Sequence, residues 1–223
     1  MMKKLLIFFV LFVLILRAAE ISTAASSAQT FSTKRIVLTF DDGPHPRQTR
    51  QILDFLDQYQ IKATFFMIGV NVGQYPDTVR EVASRGHEIG NHTNTHSHAA
   101  RLDSTILEQQ ILDCEQEIFL QSGVHARLFR PPEGALNDEM RSVIKQLGYT
   151  NVLWNLDTRD WAHTPPEEIA QYVISNAQNG DIILMHDYIG ADSPTLQALK
   201  LFVPELIAQG FTFVTVGELL SLK

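Results

Sequence analysis

Two adjacent carboxylates, Asp41 and Asp42, end the apolar run Ile36-Val37-Leu38 and are followed at once by Gly43-Pro44-His45-Pro46. Neighbouring side chains on an extended segment point to opposite sides, so the two acids suit different duties. Like charges this close repel and call for cations. A metal on one and an arginine beside the other would provide them. His92 and His96 stand four residues apart in His92-Thr93-Asn94-Thr95-His96. On a helical turn that spacing puts both imidazoles on one side, near enough to share a metal. Asn91, Thr93 and Thr95 are placed to hold the backbone and the rings. By itself the pair is also compatible with a polar loop whose histidines meet nothing, and His98 is a rival ligand at poorer spacing. No glutamate follows His92, which disfavours a zinc-peptidase helix.

Other candidates lie further on. Arg130 precedes Pro131-Pro132, and the fixed proline backbone aims its guanidinium, whose fork suits a carboxylate. Asp157-Thr158-Arg159-Asp160-Trp161 adds two carboxylates and an indole that could serve as a sugar platform, although core packing is the commoner fate of tryptophan. Leu184-Met185-His186 ends an apolar run on a histidine, placed either for proton transfer or for a bond to a core carbonyl.

These residues need a scaffold that brings segment ends together. Strands are expected over 35–40, 63–69, 87–91, 127–130, 150–156, 181–185 and 211–216. Helices are expected over 47–59, 76–84, 103–120, 137–147, 165–179 and 194–209. Strands alternating with helices imply parallel β/α units. The chemical side chains follow the ends of successive strands, which converge on one mouth only in a barrel. The expected fold is therefore α/β, a distorted, seven-stranded (β/α) barrel in a single domain.

With 223 residues, 45% of them hydrophobic, the chain can bury one full core without disulfides. The net charge of −7 and the lack of a basic run after the N-terminus argue against nucleic acid as a partner. The single cysteine, Cys114, lies on the helical stripe Leu107, Ile111, Cys114, Ile118 and reads as a buried core thiol. Met1-Met2-Lys3-Lys4 and the apolar block 5–16 suggest a signal peptide over 1–24, followed by a flexible leader over 25–34 and a catalytic domain over 35–223. The block is short for an uncleaved membrane anchor, the alternative, and export to the envelope or beyond is expected.

Taken in order, TFDDGP (39–44), HTNTH (92–96), RPP (130–132), DTRDW (157–161) and LMH (184–186) resemble the NodB-like polysaccharide deacetylases, carbohydrate esterase family four, over nearly the whole mature chain. The resemblance implies Asp42, His92 and His96 as ligands of one divalent metal, zinc first, with cobalt, nickel or manganese as alternatives. It implies Asp41 as general base oriented by Arg130, and His186 as general acid tuned by an Asp of DTRDW, here Asp160. Trp161 and Leu184 would line the acetyl and sugar pocket, with Asp157 and Glu133 at its edge. The family carries an aromatic where Glu133 stands, and the backbone N–H there helps to hold the oxyanion, so the sugar contacts at that edge are in doubt. The implied reaction is metal-dependent removal of acetyl groups from an N-acetylated glycan, chitin-like or peptidoglycan. O-deacetylation of acetylxylan and glycan binding without catalysis are the alternatives. The implied partner is an acetylated polysaccharide or oligosaccharide, with no stable protein partner and a monomeric state.

Overall fold

The computed structural model describes residues 34–97 and 103–221. The expected signal peptide, residues 25–33 of the expected leader, and His98 lie outside them.

The chain alternates strand and helix. β1 spans Lys34–Asp41, α1 Gln48–Gln58, β2 Thr64–Met67, α2 Gly69–Gln74, α3 Pro76–Ser84 and β3 Glu88–Asn91. α4 covers Ser104–Ser122, β4 Leu128–Phe129, α5 Asp138–Gln146, β5 Thr150–Asn151 and β6 Leu156–Asp157. α6 (Pro166–Asn176), β7 (Asp181–His186), α7 (Thr195–Ala208), β8 (Phe211–Phe213) and α8 (Val216–Ser221) follow. The strands run β5-β4-β3-β2-β1-β7-β6, all pairs parallel, and β8 pairs with the start of β1.

The strand expected over 150–156 departs most from its sequence signal. β5 pairs with β4, while β6 pairs with β7 at the other end of the order. One stretch of chain thus bridges both edges, and among the described residues no ladder joins β5 to β6. The result is a curled parallel half-barrel rather than a ring of continuous strands. The carbonyls of Val152 and Leu153 in the gap accept from Nε and Nη2 of Arg130, both at 3.2 Å, in place of a neighbouring strand. Such pairing of buried carbonyls is obligatory.

Strand alternation sorts β1 into two layers. Ile36, Leu38 and Phe40 join the main core with Leu53 and Leu56 of α1 and Leu199, Phe202 and Val203 of α7. Val37 instead packs with Phe66, Leu128, Val152, Val216 and Leu219, an inner cluster that α8 closes from below. Thr39 and Asp41 share the face of Val37, so the inner wall turns from apolar to polar as β1 approaches its C-terminal end. In β7, Ile183 and Met185 belong to the main core, leaving Leu184 and His186 on the opposite face.

α4 illustrates how the local sequence sets an element. The Asp103 side chain caps it by accepting from the Ile106 N–H at 2.9 Å, and Gly123 at φ 71° ends it in the left-handed region that glycine adopts freely. Its stripe Leu107, Ile111, Cys114, Ile118 is fully buried. The Cys114 thiol donates to the Met67 carbonyl at 3.3 Å, and burial raises its pKa. It fills space rather than acting as a nucleophile.

Candidate active site

The register of the parallel sheet sets the level of the site: Asp41 lies beside His186 across the β1–β7 ladder, and Asn91, which precedes His92, lies beside Met67. Asp41, Asp42, His92, His96, Glu133, Trp154, Asp157, Trp161, Leu184 and His186 line one cleft of about 500 Å³ at the C-terminal ends of the strands. Arg130 and Asp160 are fully buried behind that lining.

Asp41, only 3% exposed, accepts from Arg130 Nη1 at 2.7 Å, and the same Nη1 donates to the Thr39 hydroxyl at 2.8 Å. Arg130 also lies over the Phe66 ring at 4.2 Å and the Trp154 ring at 5.4 Å. The guanidinium is therefore held on every side: two strand-gap carbonyls, a hydroxyl, a carboxylate and two aromatic faces. A buried charge is tolerated when it is paired and hydrogen-bonded in this way.

Asp42 turns the other way. Its φ of 73° is a strained value for a side-chain-bearing residue, of the kind found at functional sites. Oδ1 of Asp42 lies 3.4 Å from His92 Nε2 and 3.2 Å from His96 Nε2. The three ligand atoms lie within 4.8 Å of one another. The two histidines meet through a loop rather than the helical turn that their spacing suggests: Thr93 and His96 adopt φ of 68° and 53°. That loop is tied by Asn91 Oδ1, which accepts from the Thr93 N–H at 3.0 Å, by the Thr93 hydroxyl, which accepts from the His96 N–H at 3.2 Å, and by Gln110, which holds Thr95 at 2.9 Å.

These residues fit a divalent ion. Ligands about 2.1 Å from a tetrahedral centre stand roughly 3.4 Å apart, close to the spacings here. His92 Nδ1 donates to the Arg130 carbonyl at 2.7 Å, which leaves the Nε2 lone pair for the site. Asp42 Oδ1 is buried and, among the described residues, lacks a well-aligned hydrogen-bond donor. Burial works against the Asp42 charge, but His92, His96 and His186 outweigh it and hold the pKa below the usual carboxylate value.

On the strand next to Asp41, Nδ1 of His186 donates to Asp160 Oδ1 at 2.8 Å. Asp160 also accepts from the His186 N–H at 2.8 Å, the Thr195 hydroxyl at 2.7 Å and the Trp161 N–H at 2.9 Å. Burial disfavours the imidazolium, yet the hydrogen bond and charge of Asp160, helped by Asp41 and Asp42, raise the His186 pKa to about 9. Asp157, the other carboxylate of its motif, faces the cleft rim and accepts from the Arg159 N–H and the Trp161 indole.

Residues 28–152 match the family model described as "Polysaccharide deacetylase". The chain belongs to the polysaccharide deacetylase family. It is 47% identical over 193 residues to the peptidoglycan-N-acetylglucosamine deacetylase of Bacillus cereus, covering 85% of this chain and 90% of that one. It is 38% identical over 190 residues to the peptidoglycan-N-acetylmuramic acid deacetylase PdaC of Bacillus subtilis, of whose length it spans 39%. A solved structure of PdaC superposes with a TM-score of 0.79 at 38% identity, covering 85% of this chain and 91% of that one.

Within the deacetylase cleft, four contributors carried little sequence signal. Trp154 sits in what looks like a strand interior, where tryptophan reads as core, yet it forms part of the wall. Gly134, at φ 66°, lets the chain pass against the Trp154 ring, where a Cβ would come within 2.8 Å. Thr39 and Thr195 anchor Arg130 and Asp160 from remote segments. Glu133 lies at the cleft edge with φ 59°, and Trp161 is half exposed at the rim.

Proposed function

We propose that this deacetylase hydrolyses the N-acetyl group of N-acetylglucosamine residues in a glycan strand, peptidoglycan first, and that it does so with one divalent ion, zinc by preference, held by Asp42, His92 and His96. The observation that carries this is the presence beside that trio of two buried pairs, Asp41 with Arg130 and His186 with Asp160. The ion, when bound, would polarise the acetyl carbonyl and acidify water.

Asp41 takes the proton from the attacking water, its other oxygen held by Arg130. His186, protonated at neutral pH by virtue of Asp160, offers its Nε2 proton to the departing nitrogen. An amine is a poor leaving group until protonated, so a strong imidazolium partner favours amide over ester substrates. The backbone N–H near Glu133 is the proposed donor to the oxyanion. Leu184 and Trp161 flank the acetyl group and the sugar face. The 47% identity to a peptidoglycan-N-acetylglucosamine deacetylase supports glucosamine as the reacting sugar. The basic start and apolar block of residues 1–16 support export to the envelope, where such a glycan lies.

The test is acetate release from peptidoglycan, chitooligosaccharides and acetylxylan, before and after chelation and with zinc restored. Release from the first two, lost on chelation and regained with zinc, is expected. Release from acetylxylan alone would replace this function with O-deacetylation. Elemental analysis of Asp42→Ala should show the metal lost, and a variant that retains it overturns the ligand assignment.

A further inference from the structure

A line of side-chain hydrogen bonds runs from the outside of the fold to the loop that carries His92 and His96. At its inner end Asn91, the last residue of β3, is fully buried. Its Oδ1 accepts from the Thr93 N–H inside that loop. Its Nδ2 donates to the Ile111 carbonyl of α4 at 2.8 Å and to the Tyr149 hydroxyl at 3.3 Å. The Tyr149 hydroxyl, just ahead of β5, donates in turn to Glu115 Oε2 at 3.0 Å. Glu115 lies on α4 one turn beyond Ile111, with its side chain 19% exposed. It accepts from the Ala126 N–H at 3.1 Å and, at its other oxygen, from His125 Nδ1 at 2.9 Å. The assigned chemistry uses neither Glu115 nor Tyr149.

The direction of every bond in this line is set from its outer end. A carboxylate only accepts, so the Tyr149 hydroxyl gives Glu115 its single proton. Burial and the Glu115 charge raise the Tyr149 pKa and keep that proton in place. The hydroxyl oxygen is then left as an acceptor. Asn91 must present its NH₂ to it and to the Ile111 carbonyl, which turns the amide oxygen to the Thr93 N–H. That last bond holds Thr93 at a φ of 68°, a value that a β-branched residue rarely takes. The Thr93 hydroxyl in turn holds the His96 N–H. Strain of this kind persists only where the surroundings over-determine it.

We propose that Glu115 and Tyr149 are positioning residues for the metal site, which hold the His92–His96 loop in its ligating geometry through Asn91 before an ion arrives. The proposal rests on the assignment of Asp42, His92 and His96 as the ligands. A loop ordered in advance does not draw on binding energy to order itself, so the tie should be read in metal affinity.

The experiment measures the zinc Kd of the metal-free protein by competition with a chromophoric chelator, beside its thermal midpoint. The variants are Tyr149→Phe, Glu115→Leu and Glu115→Gln. Tyr149→Phe and Glu115→Leu should bind zinc roughly 10-fold more weakly than the wild type. Glu115→Gln, whose amide oxygen can still accept from Tyr149, should recover most of that affinity. In metal-free Tyr149→Phe the ring resonances of His92 and His96 should move from their wild-type positions. Unchanged zinc affinity in Tyr149→Phe, whether or not its thermal midpoint falls, overturns the proposal and leaves the network a packing device. Affinity that Glu115→Gln does not recover overturns the part given to Glu115. A wild type that binds no zinc overturns the ligand assignment, and the positioning with it. These zinc effects in a protein that releases no acetate would leave the positioning standing and overturn the function instead.

Discussion

Two neighbouring pairs in the cleft, on β1 and β7, use one physical device to opposite ends. In each, a buried carboxylate is paired with a buried cation, Asp41 with Arg130 at 2.7 Å and Asp160 with His186 at 2.8 Å. On the Asp41 side the cation is a guanidinium, which does not titrate in proteins, so the carboxylate is left as the group with a lone pair to offer. On the His186 side the cation is an imidazole whose proton can leave, and the carboxylate raises its pKa to about 9. On the proposed assignment, the type of cation decides which member of each pair handles the proton. Environments that push neighbouring groups apart in this way assign the acid and the base within one site.

The comparison is tested most severely at the two reacting groups. Asp41→Asn and His186→Ala should each lower turnover about 10²- to 10⁴-fold, with metal content retained by elemental analysis. Near-normal turnover in either would remove that residue from its role. His186→Ala should also spare an activated ester more than an amide, because the ester leaving group needs no proton.

Next in size is the loss of the pairing itself. Arg130→Met leaves Asp41 buried without its cation and two strand-gap carbonyls without a donor. A loss of about 3–5 kcal/mol in stability is expected by denaturant titration. A variant as stable as the parent would show that the half-barrel closes without this anchor.

Asp160→Asn keeps the size of the side chain but removes the charge that holds the His186 proton. In the parent, activity that needs the imidazolium should fall as pH rises through about 9. In the variant that alkaline limb should move down towards the ordinary value of 6.5. The stability contribution has the same sign: raised above its unfolded value, His186 stabilises the fold fully below 6.5, and this is lost as pH climbs through about 9. An unmoved limb in the kcat profile of Asp160→Asn would detach His186 from proton transfer.

The smallest effect is expected far from the cleft, where a charged group also bridges elements. Arg85 pairs with Asp54 at 2.7 Å and Asp57 at 2.9 Å near the surface. Arg85→Ala should cost no more than about 1 kcal/mol, diminishing with salt. A cost matching that of Arg130→Met would mean that burial does not separate the two cases.

Much of this molecule was legible from local pattern. Helix α4 announced itself through Asp103, its apolar stripe and Gly123, because capping and amphipathicity are properties of neighbouring residues. The β/α alternation followed from the hydrophobic pattern, while the grouping of Asp42, His92 and His96 and the proximity of Arg130 to Asp41 were implied by the family resemblance of the ordered motifs. The ordered motifs and the family they resemble therefore named which side chains gather in the cleft. Tertiary structure decided how they meet. The strand expected over 150–156 is split because its carbonyls are met by Arg130, which is distant in sequence; the two histidines converge through left-handed loop residues rather than a helical turn; and Trp154, Thr39 and Thr195 joined the site through contacts between remote segments. Hydrogen bonds and electrostatics act through space, so the pairing that raises the His186 pKa exists only once the sheet has curled.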